Sequence, residues 1–263
     1  MSKSFALGFI VGVALLIVSG AGAFRSQRDD VKQIDAQAEE KEYQSKLLDA
    51  TPVQVGVLSH RERIHSKLYS DYRSRRGGNT ISGLVAQGRD KSRIVRTIAF
   101  VGMEEVLTEP ETPERYFGQL AQASDAVIRG RVTKKASQIS EDDAFVFTDY
   151  DVAVSEVLKN NAAAPIDTDA TISVTRPGGR VLLDGIIVEA EDRAFEPLPM
   201  NNHEIILFLR YIRETGAYKA TRATGSFELE GLNLRPLSKA SLPTGVLRGK
   251  ESFLQTLRTI SNR

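Results

Sequence analysis

Cysteine is absent from the 263 residues, and histidine appears only three times. Without cysteine there are no disulfides, no thiolate zinc sites and no thiol nucleophile. An exported chain of this length must then be held by its core alone, which fits a bacterial envelope better than a small secreted scaffold. The three histidines give little more. His60 and His65 are five positions apart and diverge around a helix, so each reads as a lone surface or capping residue. His203-Glu204 begins like a zincin helix, but Leu207 and Phe208 stand where the second histidine is needed. No G-x-S-x-G elbow and no phosphate-binding loop is present. No catalytic, cofactor or metal residue is assigned on these grounds.

Charge is scarce in one place above all. Between Arg25 and a single early lysine, Lys3, the run Ser4–Phe24 carries none, and Phe5–Val18 is almost wholly apolar. About 20 residues at ~1.5 Å each span the hydrocarbon layer of a membrane. Two fates fit this segment. Ala21-Gly22-Ala23 offers the small residues a signal peptidase requires, which puts cleavage after Ala23. Gly8 and Gly12 form a GxxxG face for close helix packing, and hence a possible homodimer contact. The balance favours a retained single-pass inner-membrane anchor facing the periplasm, with export after cleavage as the alternative.

The formal net charge of +1 hides two blocks. Ten bases oppose three acids from Leu58 to Ala99, and fourteen acids oppose four bases from Ile139 to Ile206. Such blocks attract a charged partner or neutralise each other.

Patterning divides the chain further. Residues 25–57 alternate charges over a broken apolar stripe and read as a solvated helical stalk ended by Thr51-Pro52. Ser59 and Glu62 form a capping box, after which Ile64, Leu68 and Tyr72 share a face with Tyr69 beside them. Gly77-Gly78 is the expected stop. With Arg61, Lys67 and Arg73 off the stripe, this helix either lies on an anionic surface or docks on the core with its charges in water. Arg93–Val101 is a candidate strand. Thr112 reads as an N-cap with Pro113 at the first helical position, and Phe117, Leu120, Ala121 and Ser124 as the buried face.

From Asp125 the apolar period becomes two. Strands are expected from Ala126, with a bend or bulge at Gly130, over Phe145–Leu158 and Thr171–Thr175, and over Val181–Val188 after a Pro177-Gly178-Gly179 turn. Glu204–Arg213, apolar on both faces, should be central. Tyr218–Arg222, Ser226–Leu229 and Leu232–Leu237 follow, and Phe253, Leu254, Leu257 and Ile260 mark a last amphipathic helix. Regular short strands of this kind build a sandwich or small barrel.

The blocks SDAVIRGRV (from Ser124), FTDYDVAVSEVLK (from Phe147), VTRPGG (from Val174), EIILFLR (from Glu204) and ETGAY (from Glu214) resemble a group of uncharacterised exported bacterial proteins. The resemblance implies an OB-type barrel, as in netrin-like and tissue-inhibitor-like modules. In the tissue inhibitors a cysteine-based N-terminal ridge does the inhibiting, so that activity does not carry over to a chain without cysteine.

The expected fold class is α+β. It comprises a membrane or signal helix (1–24), a polar helical stalk (25–57), a basic helix and connecting segment (58–111), an OB-like antiparallel β-barrel (112–240) and a C-terminal helix (241–263). Asp149 and Asp151, two apart on one strand, project from the same face, where they either do acid–base or cation chemistry or are simply solvated. Asp167 and Asp169 fit a turn. Arg176-Pro177-Gly178-Gly179-Arg180 is either a turn or an anion-binding nest. The expected function is a non-enzymatic binding module displayed outside the cytoplasm, tethered by residues 4–24 and meeting an envelope protein or surface polymer. An envelope enzyme using Asp149 and Asp151 is the alternative. A nucleic-acid binder ranks last, because the strands are net acidic.

Overall fold

The computed structural model describes residues 37–69, 80–88, 92–99, 112–200, 202–239 and 250–261. The apolar run Ser4–Phe24, with Gly8, Gly12 and Ala23, lies outside them, as do Tyr72, Arg73 and Gly77-Gly78. Among the described residues no helix is long and apolar enough to cross a membrane. The chain divides into two compact units, Met1–Leu48 and Asp49–Arg263.

In the first unit residues 37–47 are helical (α1) and mostly exposed. Gln44 donates to Glu40 and Lys46 pairs with Glu42, each one turn apart, as expected of a solvated helix.

The second unit is α+β. Its helices are α2 (His60–Leu68), α3 (Ile81–Gly88), α4 (Pro113–Ala123) and α5 (Lys250–Ser261). Its strands are β1 (Thr51–Pro52), β2 (Ile94–Ala99), β3 (Ala126–Ile139), β4 (Val146–Lys159), β5 (Thr171–Pro177), β6 (Gly179–Leu183), β7 (Ile186–Asp192), β8 (Glu204–Ile212), β9 (Ala217–Ala220), β10 (Ser226–Glu230) and β11 (Asn233–Pro236).

One sheet runs β11-β10-β8-β3-β4-β5-β9, and β8 also pairs with β9. The pairings of β3, β4, β5, β9 and β8 therefore return to their starting strand. All are antiparallel except β5 with β9, which is parallel at Val174↔Tyr218 and Thr175↔Lys219. Alternate residues of all five strands meet in one apolar cluster. It includes Ile128, Val132, Tyr150, Val152, Val154, Val174, Ile205, Leu207, Leu209 and Tyr218.

The opposite parity of β3 and β8 faces helices. Val127, Ile206 and Phe208 pack with Tyr116, Phe117 and Leu120 of α4 and with Phe253, Leu254 and Leu257 of α5. The local signals for α4 hold, since the Thr112 hydroxyl accepts from the Arg115 N–H with Pro113 inside the first turn. Lys159 donates to the Ala121 and Ser124 carbonyls at the helix's other end. Each buried Phe or Leu of this face contributes ~1.5–3 kcal/mol, so α4 belongs to the core in energy as well as position.

The second sheet, β1-β6-β7-β2, differs from the sequence reading. Val181–Val188 is not one strand but the hairpin β6–β7. It turns at Asp184 and Gly185, both at positive φ (50° and 77°), a two-residue Asp-Gly turn whose twist suits paired strands. Pro177-Gly178-Gly179 is likewise no hairpin, because β5 and β6 do not pair. The chain changes sheets there, and a side chain on Gly179 would run into the Thr148 and Ser137 hydroxyls. The helix α3 was not foreseen.

Gly130 sits at the expected bulge. The β3–β4 register shifts between Arg129 and Gly130, and a Cβ at Gly130 would stand 2.5 Å from the Ala153 carbonyl oxygen. Gly130→Ala is expected to lower stability by about 1–3 kcal/mol in urea denaturation, the usual cost of forcing atoms into a packed site. A neutral result would mean that β3 and β4 can separate there freely.

Candidate functional site

The most developed polar arrangement centres on α2. Its capping box is intact, with the Ser59 hydroxyl accepting from Glu62 N–H at 3.3 Å and the Glu62 carboxylate from Ser59 N–H at 2.6 Å. The helix stops at Leu68, short of the glycine pair. The Tyr69 N–H turns back to the Ser66 and Lys67 carbonyls, and the Tyr69 ring packs against Phe145 and Phe147, at 6.1 and 6.4 Å between centroids. Packing, not glycine, ends this helix. The buried face is therefore His65, Ser66 and Tyr69, whereas Ile64 and Leu68, expected to lead it, are half-buried.

His65 is not the surface residue expected, for its exposure is 0%. Nδ1 lies 2.9 Å from each oxygen of Asp149, and Nε2 lies 3.1 Å from the Thr215 hydroxyl. A carboxylate only accepts, so Nδ1 carries a proton and donates. The neutral ring then accepts from Thr215, and the charged ring donates to it. Arg61 approaches the same carboxylate at 3.9 Å. Ser66 accepts from the Glu141 N–H at 2.8 Å, in the loop between β3 and β4. That loop is gripped from α3 too, since Ile81 N–H donates to the Asp143 carbonyl and Ser82 N–H to its carboxylate. Burial pushes the Tyr69 hydroxyl far above its usual pKa, with the Thr175 hydroxyl partly offsetting it.

Asp149 and Asp151 do share the outward parity of β4, opposite Thr175 and Ser173 of β5. The partner of Asp149, however, is His65. The order Asp149–His65–Thr215 is that of a nucleophilic triad. Among the described residues the surroundings differ from those of such a site. The imidazole has no exposed surface, the Thr215 and Gly216 N–H groups both donate to the Ile212 carbonyl, and the Ala217 N–H donates to the Thr215 hydroxyl. None of these three backbone N–H groups is left to hold an oxyanion. What the array does is fasten α2 to β4 and to the β8–β9 loop.

The other sequence candidates fall elsewhere. Arg176 and Arg180 do not form a nest. Arg176 is buried, donates to the Leu237 carbonyl and stacks over Phe195 at 4.9 Å, while burial holds its pKa down. Arg180 pairs with Glu189 and Asp49, and the Gly178 N–H is spent on the Val146 carbonyl. Asp169, at φ 69°, forms the expected turn with Asp167. His203 touches the buried carboxylate of Glu228, which Arg235 also holds. His60 is exposed. The basic and acidic blocks meet at Arg61–Asp149 and Arg96–Glu189, so they neutralise each other in part. Among the described residues no three His, Asp or Glu side chains form a metal-holding group. The chain matches no family model and no curated protein.

If the imidazole and carboxylate act as a unit, a double-mutant cycle of His65→Ala and Asp149→Ala will give a coupling of about 1–3 kcal/mol in urea denaturation. Additive losses would show that the two only lie side by side.

Proposed function

We propose that the chain is a cell-envelope binding module, an OB-type barrel tethered by residues 4–24 and displayed outside the cytoplasm. The observation that carries the barrel reading is the ring of pairings among β3, β4, β5, β9 and β8, with the single parallel contact between β5 and β9. A three-strand meander, a fourth strand returning to the first and a fifth running parallel to the third is the strand order of that barrel. The resemblance to exported bacterial proteins points the same way. The uncharged run Ser4–Phe24, preceded by Lys3, supports insertion of this segment into a membrane.

OB-type barrels bind through the face of their second and third strands and through the loops after the first and fourth. Here these are β4 and β5, residues 140–145 and residues 213–216. Asp149, Asp151, Ser173 and Thr175 line the outward parity of that face. Its acidic character favours a protein or polymer carrying positive charge over nucleic acid, which needs a basic groove with stacking rings.

The absence of native cysteine makes the location directly testable. Leu232, 78% exposed, is replaced by cysteine in the full-length protein. We expect the variant to sediment with membranes and to react with a membrane-impermeant maleimide once the outer membrane is opened. Labelling only after lysis of the inner membrane would overturn the reading. Recovery of a soluble chain beginning at Phe24 would select export over anchoring.

A further inference from the structure

The face just described is not open, because α2 lies on it. Its partners there are of the kinds a ligand would meet. They are the Asp149 carboxylate, the Thr215 hydroxyl on one flanking loop, the Glu141 N–H on the other, and the rings of Phe145 and Phe147. Each is engaged by one group of a short segment: the His65 imidazole, the Ser66 hydroxyl and the Tyr69 ring.

We propose that α2 is a built-in surrogate ligand, and that the face beneath it takes a basic polypeptide segment of a partner with a cation and, four positions on, an aromatic ring. This inference rests on the barrel reading above. Charge complementarity commits the occupant to this class. The face and its β3–β4 loop offer Asp149, Asp151, Glu141 and Asp142, whereas α2 carries Arg61, Arg63 and Lys67.

The seat of α2 is one that a competitor can take over. Of its nine residues only His65 and Ser66 are buried, both polar, where α4 buries Tyr116, Phe117, Leu120 and Ala121. Polar contacts are readily exchanged for water or for another donor, so a helix held by them opens locally before the barrel does. The lead-in to α2 is exposed: Val55 and Val57 are 39% and 66% exposed, and no described residue packs where a side chain on Gly56, at φ +77°, would stand. The face also keeps spare capacity. The Ser173 hydroxyl on β5 is buried without a hydrogen-bond partner among the described residues, and the Arg61 Nε, at 3.9 Å from Asp149, makes no hydrogen bond to it.

The test uses the full-length protein and a fluorescein-labelled peptide of residues 58–72. Deuterium uptake should be faster at the α2 amides than at β4, and His65→Ala with Tyr69→Ala should raise it in α2 alone. The peptide should bind that variant at least tenfold more tightly than the wild type, whose own α2 competes. Asp149→Asn added to the variant should remove most of the gain. If the double variant also loses protection in β4, His65→Gln, which keeps the side chain's bulk, is read in the same way.

Equal uptake in α2 and β4, or peptide binding indifferent to Asp149→Asn, overturns the proposal. So does α2 uptake that falls with protein concentration, which would assign the face to a second copy of the chain. Failure of the barrel reading has a separate signature, rapid exchange at Val174, Thr175, Tyr218 and Lys219, where β5 meets β9.

Discussion

The second unit depends on one close backbone approach, that of Gly130 to the carbonyl of Ala153. β3 is 14 residues long and cannot serve all its partners as a straight ribbon. Its first half lies between β4 and β8, from Ala126↔Leu209 to Arg131↔Glu204, and its second half pairs with β4 alone. The bulge at Gly130 bends the first half, and a further register shift, between Val132 and Lys134, falls where the pairing with β8 ends. Beyond it β3 carries Ser137, whose N–H donates to Thr51, and Ile139, which joins Val181, Leu183 and Val188 in the core under the second sheet. Register shifts along β3, one of them at a residue without a side chain, thus let a single strand take part in two layers.

Inside the ring of pairings the packing is mostly apolar, and its polar groups include the Tyr150 and Tyr218 hydroxyls and the Arg176 guanidinium. Arg176 is enclosed with only its Nη2 bond to Leu237 among the described residues, and Asp192, two backbone N–H groups on one oxygen, sits near enough to feel its charge. Burial drives the two in opposite senses, lowering the guanidinium pKa and raising that of the carboxyl. A buried ion seldom adds net stability, because desolvation consumes what attraction returns. The cluster is better understood as fixing how β5, β7 and the strand-end at Leu237 meet than as holding them together.

What could be read from the sequence was what is decided locally. Thr112-Pro113 starts α4 and Ser59–Glu62 starts α2 because cap and capped group lie within one turn. The strands β3 and β4 followed from their period of two, β8 from a run apolar on both faces, and β10 and β11 from short runs between regular turns. The β6–β7 hairpin was missed because Val181–Val188 is apolar on both sides of Asp184-Gly185, so the run looked continuous although its turn pair was present. The end of α2 was misplaced because a glycine pair is a local stop, while Tyr69 is stopped by aromatic partners far along the chain. The His65 site was invisible for the same reason: Asp149 is 84 positions away and Thr215 is 150. In sequence each is an ordinary polar residue, and the pairing of Asp149 with Asp151 was the only relation a strand period could suggest.

The contrast between α2 and α4 carries the functional argument furthest. Both cover the outer surface of the same five strands. α4 does so with a Tyr-Phe-x-x-Leu-Ala face that any stability requirement would select. α2 spends its two fully buried positions on a histidine and a serine, each useful only where a partner has been placed for it. If selection had asked only for a lid over Phe145 and Phe147, apolar residues at 65 and 66 would have met the need without leaving buried polar groups to satisfy. Local choices that sacrifice stability in an otherwise consistent fold gather where function is. Here they gather on the face that β4, β5 and their two flanking loops present.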